Sequence, residues 1–322
     1  MSRWMIFLIV RRSGAGRGDP VHPDPEGQEG PGGFRWMNGA RPFTCVFMLS
    51  KARIRDLQRY QRKKHRIADG RLLVEGWRSL EAVAGAGVGI DSLFLAEEID
   101  EKELPAGLIA ELSSRSRRTE RVTPTQMKSL SSSVTPPDLA ALITWRPLGT
   151  DALIDAISAD PGNADNRMGG FRLLVVTDGV SDPGNLGTII RTADWFGARG
   201  VFCGPGSVEL TNPKVVQATM GSLFQLPVSV GDSTAVFLGR VRELGYSVVS
   251  LELDGATDIR EVAWPDKLVV VVGNEARGVS GDTRALADQR VMIPRFGRAE
   301  SLNAAAALAV TLGAVRLQPK GD

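Results

Sequence analysis

The chain has 322 residues, 43% of them hydrophobic and 24% charged, with a formal net charge of +2, and this suits about two globular domains. Only two histidines and two cysteines occur, with no CxxC, HExxH or Cys/His cluster, which argues against a zinc site of ordinary ligand type and against a disulfide framework. Ser-His or Cys-His catalysis would have to recruit His22 or His65, both near the N-terminus, so the chemistry is expected to fall to carboxylates, amides, hydroxyls, Arg or Lys.

Residues 1–47 differ from the rest. The apolar run Trp4–Val10 is too short to span a membrane. Arg11 and Arg12 follow it, whereas a secretory signal carries its charge in front. The Gly/Pro-rich tract behind it cannot bury enough apolar surface to fold alone. A disordered extension is expected here, with an upstream start as one account of it and folded protein from about Met48. No membrane association is expected, and the unpaired cysteines suit the reducing cytoplasm.

Next comes a concentration of charge. Residues 51–78 carry ten Lys and Arg against three acids, a net of +7, while the first 50 residues are net +2 and the remaining 244 net −7. A basic segment on an acidic body suits a polyanionic partner, since phosphate contacts need clustered Lys and Arg. Arg53, Arg55, Arg59, Arg62, Lys63, Lys64 and Arg66 are the candidate phosphate contacts of such a polyanion; a solvated charged helix is the plainer alternative. Ile54, Leu57 and Tyr60 recur at helical spacing from Ser50 to about Arg66.

Strands are predicted at Leu72–Val74, Ser92–Leu95 and Leu139–Trp145, and helices around Leu80 and Val83, at Leu108–Leu112 and after Pro124. GAGVG at 85–89 lacks a preceding strand and reads as a helix end. These elements make a small α/β domain over 48–157, followed by a turn-rich linker at 158–170 and a second domain over 171–322. In the second domain, apolar strands at 173–177, 200–203, 246–251, 268–272 and 291–293 alternate with helices near 186–196, 213–223, 234–244 and 302–317. Near-continuous apolar strands between helices predict a parallel sheet covered on both faces.

Three polar segments follow strands, where open α/β sheets place ligands: DPGNLGTIIRTA (182–193), GNEARGV (273–279) and IPRFGRAESLNAAAA (293–307). Each alone has a structural reading, with Asn185 a helix cap, Arg191 an ion-pair partner, Gly273–Glu275 a turn and Ser301 a cap. Together, NxGxxxRTA, GNExxGV and IPxxGxxxSLN in this order resemble the SpoU/TrmH family of SPOUT RNA methyltransferases. The basic helix followed by RLLVEGWRSLEA (71–82) resembles that family's ribosomal-protein-like RNA-binding domain.

The resemblance implies S-adenosylmethionine-dependent methylation of a ribose 2′-hydroxyl in RNA, a deep trefoil knot in the C-terminal domain, and a homodimer with no metal. It assigns catalytic roles to Arg191, Asn185, Glu275, Ser301 and Asn303, with Asn185 and Glu275 orienting Arg191 and the ribose. It places the cofactor near Gly273, Asn274, Glu275, Ile293, Pro294, Ser301, Leu302 and Asn303, and allows Lys214 an RNA contact. Arg295 and Gln217 depart from common family residues. 23S rRNA is the expected substrate; tRNA, or a non-catalytic RNA-binding relative, remains open.

Overall fold

The protein is described from a computed structural model over residues 49–159, 171–254 and 256–317. Residues 1–44 lie outside the described residues, and Cys45–Asp322 is described by itself. The expectations of a disordered extension over 1–47 and a linker at 158–170 therefore fall outside them as well, residues 158 and 159 apart.

The first domain begins with α1 (Lys51–Gln58), capped by the Ser50 side chain, which accepts from the Arg53 amide. The basic helix expected through Arg66 is broken: a 3-10 turn at Arg59–Gln61 separates α1 from α2 (Lys63–Asp69). Then follow β1 (Arg71–Glu75), α3 (Trp77–Gly85), β2 (Ile90–Ala96), α4 (Leu108–Arg115), β3 (Thr119–Val122), α5 (Pro124–Leu130) and β4 (Leu139–Thr144). Thr123 and Gln126 form a reciprocal capping box that starts α5, with Pro124 at the first helical position where its missing N–H costs nothing. The four strands make a mixed sheet in the order β1-β4-β2-β3. One face packs Leu57, Tyr60, Phe94, Met127 and Leu142 into a core of its own.

The second domain contains α6 (Thr150–Ala159), β5 (Arg172–Asp178), α7 (Pro183–Trp195), β6 (Gly200–Cys203), α8 (Pro213–Thr219), α9 (Ser222–Gln225) and β7 (Val228–Val230). It continues with α10 (Thr234–Glu243), β8 (Ser247–Leu251), β9 (Thr257–Asp258), β10 (Lys267–Gly273), α11 (Gly281–Ala285), β11 (Gln289–Met292) and α12 (Ala304–Leu317). Its seven strands run in the order β7-β6-β5-β10-β8-β11-β9, every pairing parallel. Leu174, Val176, Val269 and Val271 pack on one face, while Leu173, Val175, Leu268 and Val270 pack on the other. Burial on both faces is why these strands read as unbroken apolar runs.

Two features redraw the expected boundary between the domains. Leu153, Ile154 and Ile157 of α6 join the core on the parallel sheet, and the Leu148 amide donates to the Val228 carbonyl, so α6 belongs to the second domain. α6 thus packs with the second sheet although its residues fall largely within the expected 48–157 span. The second core is shared: Leu72, Val74 and Leu80 of the first domain lie in one apolar cluster with Leu186, Val215 and Leu223 of the second.

Polar ties cross the same seam. Arg66 is buried and donates to both carboxylate oxygens of Glu209 at 3.0 Å, and to the carbonyls of Tyr60 and Gln61 at 3.0 and 2.7 Å. Glu75 accepts from the hydroxyls of Ser131, Ser132 and Ser133, and Gln217 on α8 donates to Ser132 and Ser133 at 3.1 and 2.9 Å. Gly221 lies so close to α3 that a Cβ there would come within 2.7 Å of the Ala82 Cβ, and its φ of +101° favours glycine on its own account.

Candidate active site

All strands of the second sheet point the same way, so the loops after β5, β10 and β11 emerge at one edge, and β5 and β10 are neighbours. The first loop leads into α7. Its cap is Asp182, whose side chain accepts from the Asn185 amide at 2.8 Å, with Pro183 at the first helical position. The expectation of Asn185 as the cap is thus corrected: it sits one turn into the helix, and its side chain is free for other work.

That side chain is the middle of a relay. The Asn185 amide nitrogen donates to Glu275 Oε1 at 3.0 Å, and its oxygen accepts from the Asn303 amide nitrogen at 2.8 Å. Glu275 also accepts from the Ser181 amide and hydroxyl at 3.3 and 3.2 Å, and from the Asp182 amide at 3.2 Å. Asn303 in turn caps α12, its oxygen accepting from the Ala305 and Ala306 amides. Three polar segments far apart in sequence are thereby joined by one chain of hydrogen bonds, Glu275–Asn185–Asn303.

The other expected residues divide. Arg191 is exposed on α7 and carries no hydrogen-bond or ion-pair partner among the described residues, so Asn185 and Glu275 orient each other and leave its guanidinium free. Ser301 is exposed in the loop before α12 and is not part of the relay. Asn274 is a brace: its amide nitrogen donates to the Gly179 carbonyl at 2.7 Å, its side-chain oxygen accepts from the Ala276 and Arg277 amides, and its backbone pairs with Gly278 in both directions. Those bonds leave its polar groups little capacity for a cofactor. Gly273 has a similar duty, since a Cβ there would lie 2.2 Å from the Gly278 carbonyl carbon, so glycine is needed for the close return of the loop.

Asp178, at the end of β5, was not anticipated. It accepts from the Ser280 amide at 2.8 Å and the Thr234 hydroxyl at 3.3 Å, pinning the far end of the GNEARGV loop. Its place at the end of the apolar strand, opening DGVSDPGN, is the signal that could have marked it.

The Glu275 carboxyl feels two opposed influences. Burial raises its pKa, but the bonds from Asn185 and from the amides of its own loop, Ser181 and Asp182 prevail, holding it below the ordinary 4.5. A depressed folded-state value means that the ionised form stabilises the fold, and that this contribution fades as pH falls through the folded value. Glu275→Gln should therefore lose stability less steeply than wild type on acidification below pH 4.5. Thermal melts of both proteins through the acid range check this; parallel acid limbs would contradict it.

Fit to S-adenosylmethionine rests on the loop from Ile293 to Leu302. It has no regular structure, and within it Phe296 is 88% and Leu302 49% exposed, beside half-buried Ile293 and Pro294. These exposed apolar side chains lie in the loop that leads into Asn303 of the relay and could cover an apolar part of a ligand. An apolar lip next to carboxylate and amide groups has the donor set for a ligand with a flat base at one end and a zwitterion at the other. No group of three or more His, Cys, Asp or Glu among the described residues is placed to hold a metal. Cys203 is fully buried, and burial pushes its thiol up to about 12 despite a bond to Thr177, so it is no nucleophile.

On the basic segment, Arg55, Arg62, Lys63 and Lys64 are exposed without ion-pair partners among the described residues, and so is Lys214 in the first turn of α8. Arg53 bonds Asp56 and Ser92 and remains partly exposed. Arg59 is held by Asp56 and Asp69. Arg66 does not belong with them: its guanidinium is spent inside the seam on Glu209 and two carbonyls.

A parallel α/β domain with its polar relay at the strand ends packs against a smaller mixed domain that carries exposed cations. Residues 172–313 match the SpoU rRNA Methylase family and residues 51–141 match the MRM3-like substrate binding domain. The chain thus carries a SpoU methylase domain joined to an MRM3-like substrate-binding domain.

Among its relatives, the 23S rRNA (guanosine(2553)-2′-O)-methyltransferase RlmP of Bacillus subtilis is 33% identical over 146 residues, covering 45% of this chain and 58% of that protein. The chain spans little more than half the length of that relative. The AdoMet-bound rRNA methyltransferase from Sinorhizobium meliloti superposes with a TM-score of 0.70 at 27% identity, covering 84% of this chain and 97% of that one. AviRb of Streptomyces viridochromogenes, a SpoU methyltransferase in complex with AdoMet, does so with a TM-score of 0.67 at 27% identity, covering 83% and 98%.

Proposed function

We propose that the protein transfers the methyl group of S-adenosylmethionine to a ribose 2′-hydroxyl of RNA, with 23S rRNA as its substrate. The observation that carries this is the Glu275–Asn185–Asn303 relay at the ends of the parallel strands, within the segment matching the SpoU rRNA Methylase family. Relatives named as 23S rRNA 2′-O-methyltransferases, and neighbours solved with AdoMet, support the substrate and the cofactor.

The cofactor supplies a sulfonium methyl that is already electrophilic. Ile293, Pro294 and Leu302 would cover its base, with Ser301, Asn303 and Glu275 beside its polar end. The protein's remaining tasks are to hold the ribose in line and to stabilise charge on the attacking oxygen. Arg191 stays protonated at any ordinary pH and so acts as a cation, clamping phosphate and stabilising the developing alkoxide. The proton leaves to RNA phosphate or water. The relay fixes the loop against which the ribose sits, and Ser301 holds the hydroxyl.

We further propose the trefoil knot and the homodimer. The chain leaves β11 next to the sheet's edge and, after 293–303, packs α12 on α7, an arrangement compatible with a knotted crossing. Arg316 donates to the Phe196 and Gly197 carbonyls, setting the ends of α12 and α7 together, and Trp195 and Leu317 there are 70% and 79% exposed. A second copy would cover this apolar patch. A cytoplasmic site of action accompanies the rRNA substrate. No helix among the described residues is long and apolar enough to cross a membrane.

Incubation with methyl-labelled S-adenosylmethionine and undermethylated ribosomal RNA, with tRNA in parallel, tests the reading. Label on a ribose of 23S rRNA is expected. Label on tRNA alone would reassign the substrate, and label on neither, with RNA still bound, would make this a binding protein.

A further inference from the structure

The first domain carries cations that the basic segment does not include. Residues 111–121 read ELSSRSRRTER, four arginines against two glutamates, and they bring α4 into β3 at the edge of the mixed sheet. The Arg117 amide donates to the Ile90 carbonyl, and the Arg118 carbonyl accepts from the Leu93 amide, so this stretch already runs along β2.

The pairing of β2 with β4 shifts register between Ile90 and Ser92. Such an irregularity re-aims the side chain at its centre, here Asp91. Asp91 receives Arg71 at 3.1 Å from β1 and Arg117 at 3.9 Å, and accepts from the Thr144 hydroxyl at 2.9 Å. Next to it, Ser92 accepts from Arg53 of α1 at 2.9 Å.

One carboxylate thus gathers two guanidinium groups and leaves their surplus charge facing outward. The Arg117 side chain is 81% exposed and that of Arg71 41%, while Asp91 beneath them is 14% exposed. Arg118 is exposed with no ion-pair partner among the described residues. Neighbouring strands lie about 4.8 Å apart, so a strip from β1 to β3 crosses about 14 Å. That is wide for a small anion and suited to successive phosphates of a polynucleotide.

We infer that Arg71 and Arg117, organised by Asp91, form with the neighbouring Arg118 an RNA phosphate-binding strip that adds to the exposed cations of α1 and α2. The inference rests on the proposed RNA methyltransferase activity and adds a surface to it. Arg117 and Arg118 contact backbone, so they supply affinity and orientation without reading sequence.

The test is an Arg117→Ala/Arg118→Ala double variant of the full chain, assayed for binding to a 23S rRNA fragment over a range of salt. Each neutralised phosphate contributes about 0.7 to 0.9 to the log–log salt slope, so two lost contacts should flatten it by about 1.4 to 1.8. RNA affinity at low salt should fall at least tenfold while S-adenosylmethionine affinity and melting temperature hold. An unchanged slope and affinity, with wild type binding RNA, would overturn the strip alone. Wild type that binds no RNA would overturn the strip together with the methyltransferase reading.

Discussion

Replacing Arg191 with alanine is expected to slow methyl transfer by about 10²- to 10³-fold, the usual effect of removing one group that stabilises charge developing on oxygen. Cofactor affinity should hold. Arg191 has no partner among the described residues, so its loss strands no carboxylate and undoes no cap there. A melting temperature close to wild type would separate this from a folding defect. Arg191→Lys should recover only part of the rate, because an ammonium restores the charge without the planar fork. Single-turnover rates with saturating cofactor, beside cofactor binding by titration calorimetry, check both parts. Equal loss of cofactor affinity would move Arg191 out of the substrate's half of the site.

Arg66→Ala should have the largest effect on stability. Its side chain is 4% exposed and that of its partner Glu209 11%, so truncation strands a carboxylate in the seam together with the Tyr60 and Gln61 carbonyls. Breaking one side of such a pair costs about 3–5 kcal/mol. In a protein of this size the melting temperature should fall by on the order of 10 °C. Arg66→Met combined with Glu209→Leu should recover much of the loss, since apolar groups of similar volume remove both desolvation costs. Chemical denaturation of the single and double variants measures it. A double variant no better than Arg66→Ala would place the cost in the lost carbonyl contacts instead of the stranded charge.

Arg66 also shows where sequence reasoning stops. Two residues after Lys64 in a basic run, it has the look of a phosphate contact, and its partner is 143 residues away. Charge counting cannot distinguish an arginine that faces water from one that faces a distant acid. The strands of the parallel sheet, by contrast, were legible because burial on both faces writes itself as an apolar run. α7 was legible with its start misplaced: Asp182 and Asn185 are both good caps, and Pro183 at the first helical position decides for Asp182. In the site, the motifs named the members of the relay but not its order. The roles of Asn274 and Gly273 as braces depend on the close return of Gly278, a tertiary fact. α6 went unassigned because its short apolar stripe carries no sign of which sheet it will cover.

The relay joins residues separated by 90 and 118 positions, Asn185 with Glu275 and Asn185 with Asn303. The first needs β10 in the sheet beside β5, and the second needs α12 at rest on α7. The chemistry is therefore withheld from partly folded chains. The basic segment is complete by residue 78, whereas the relay waits on residue 303.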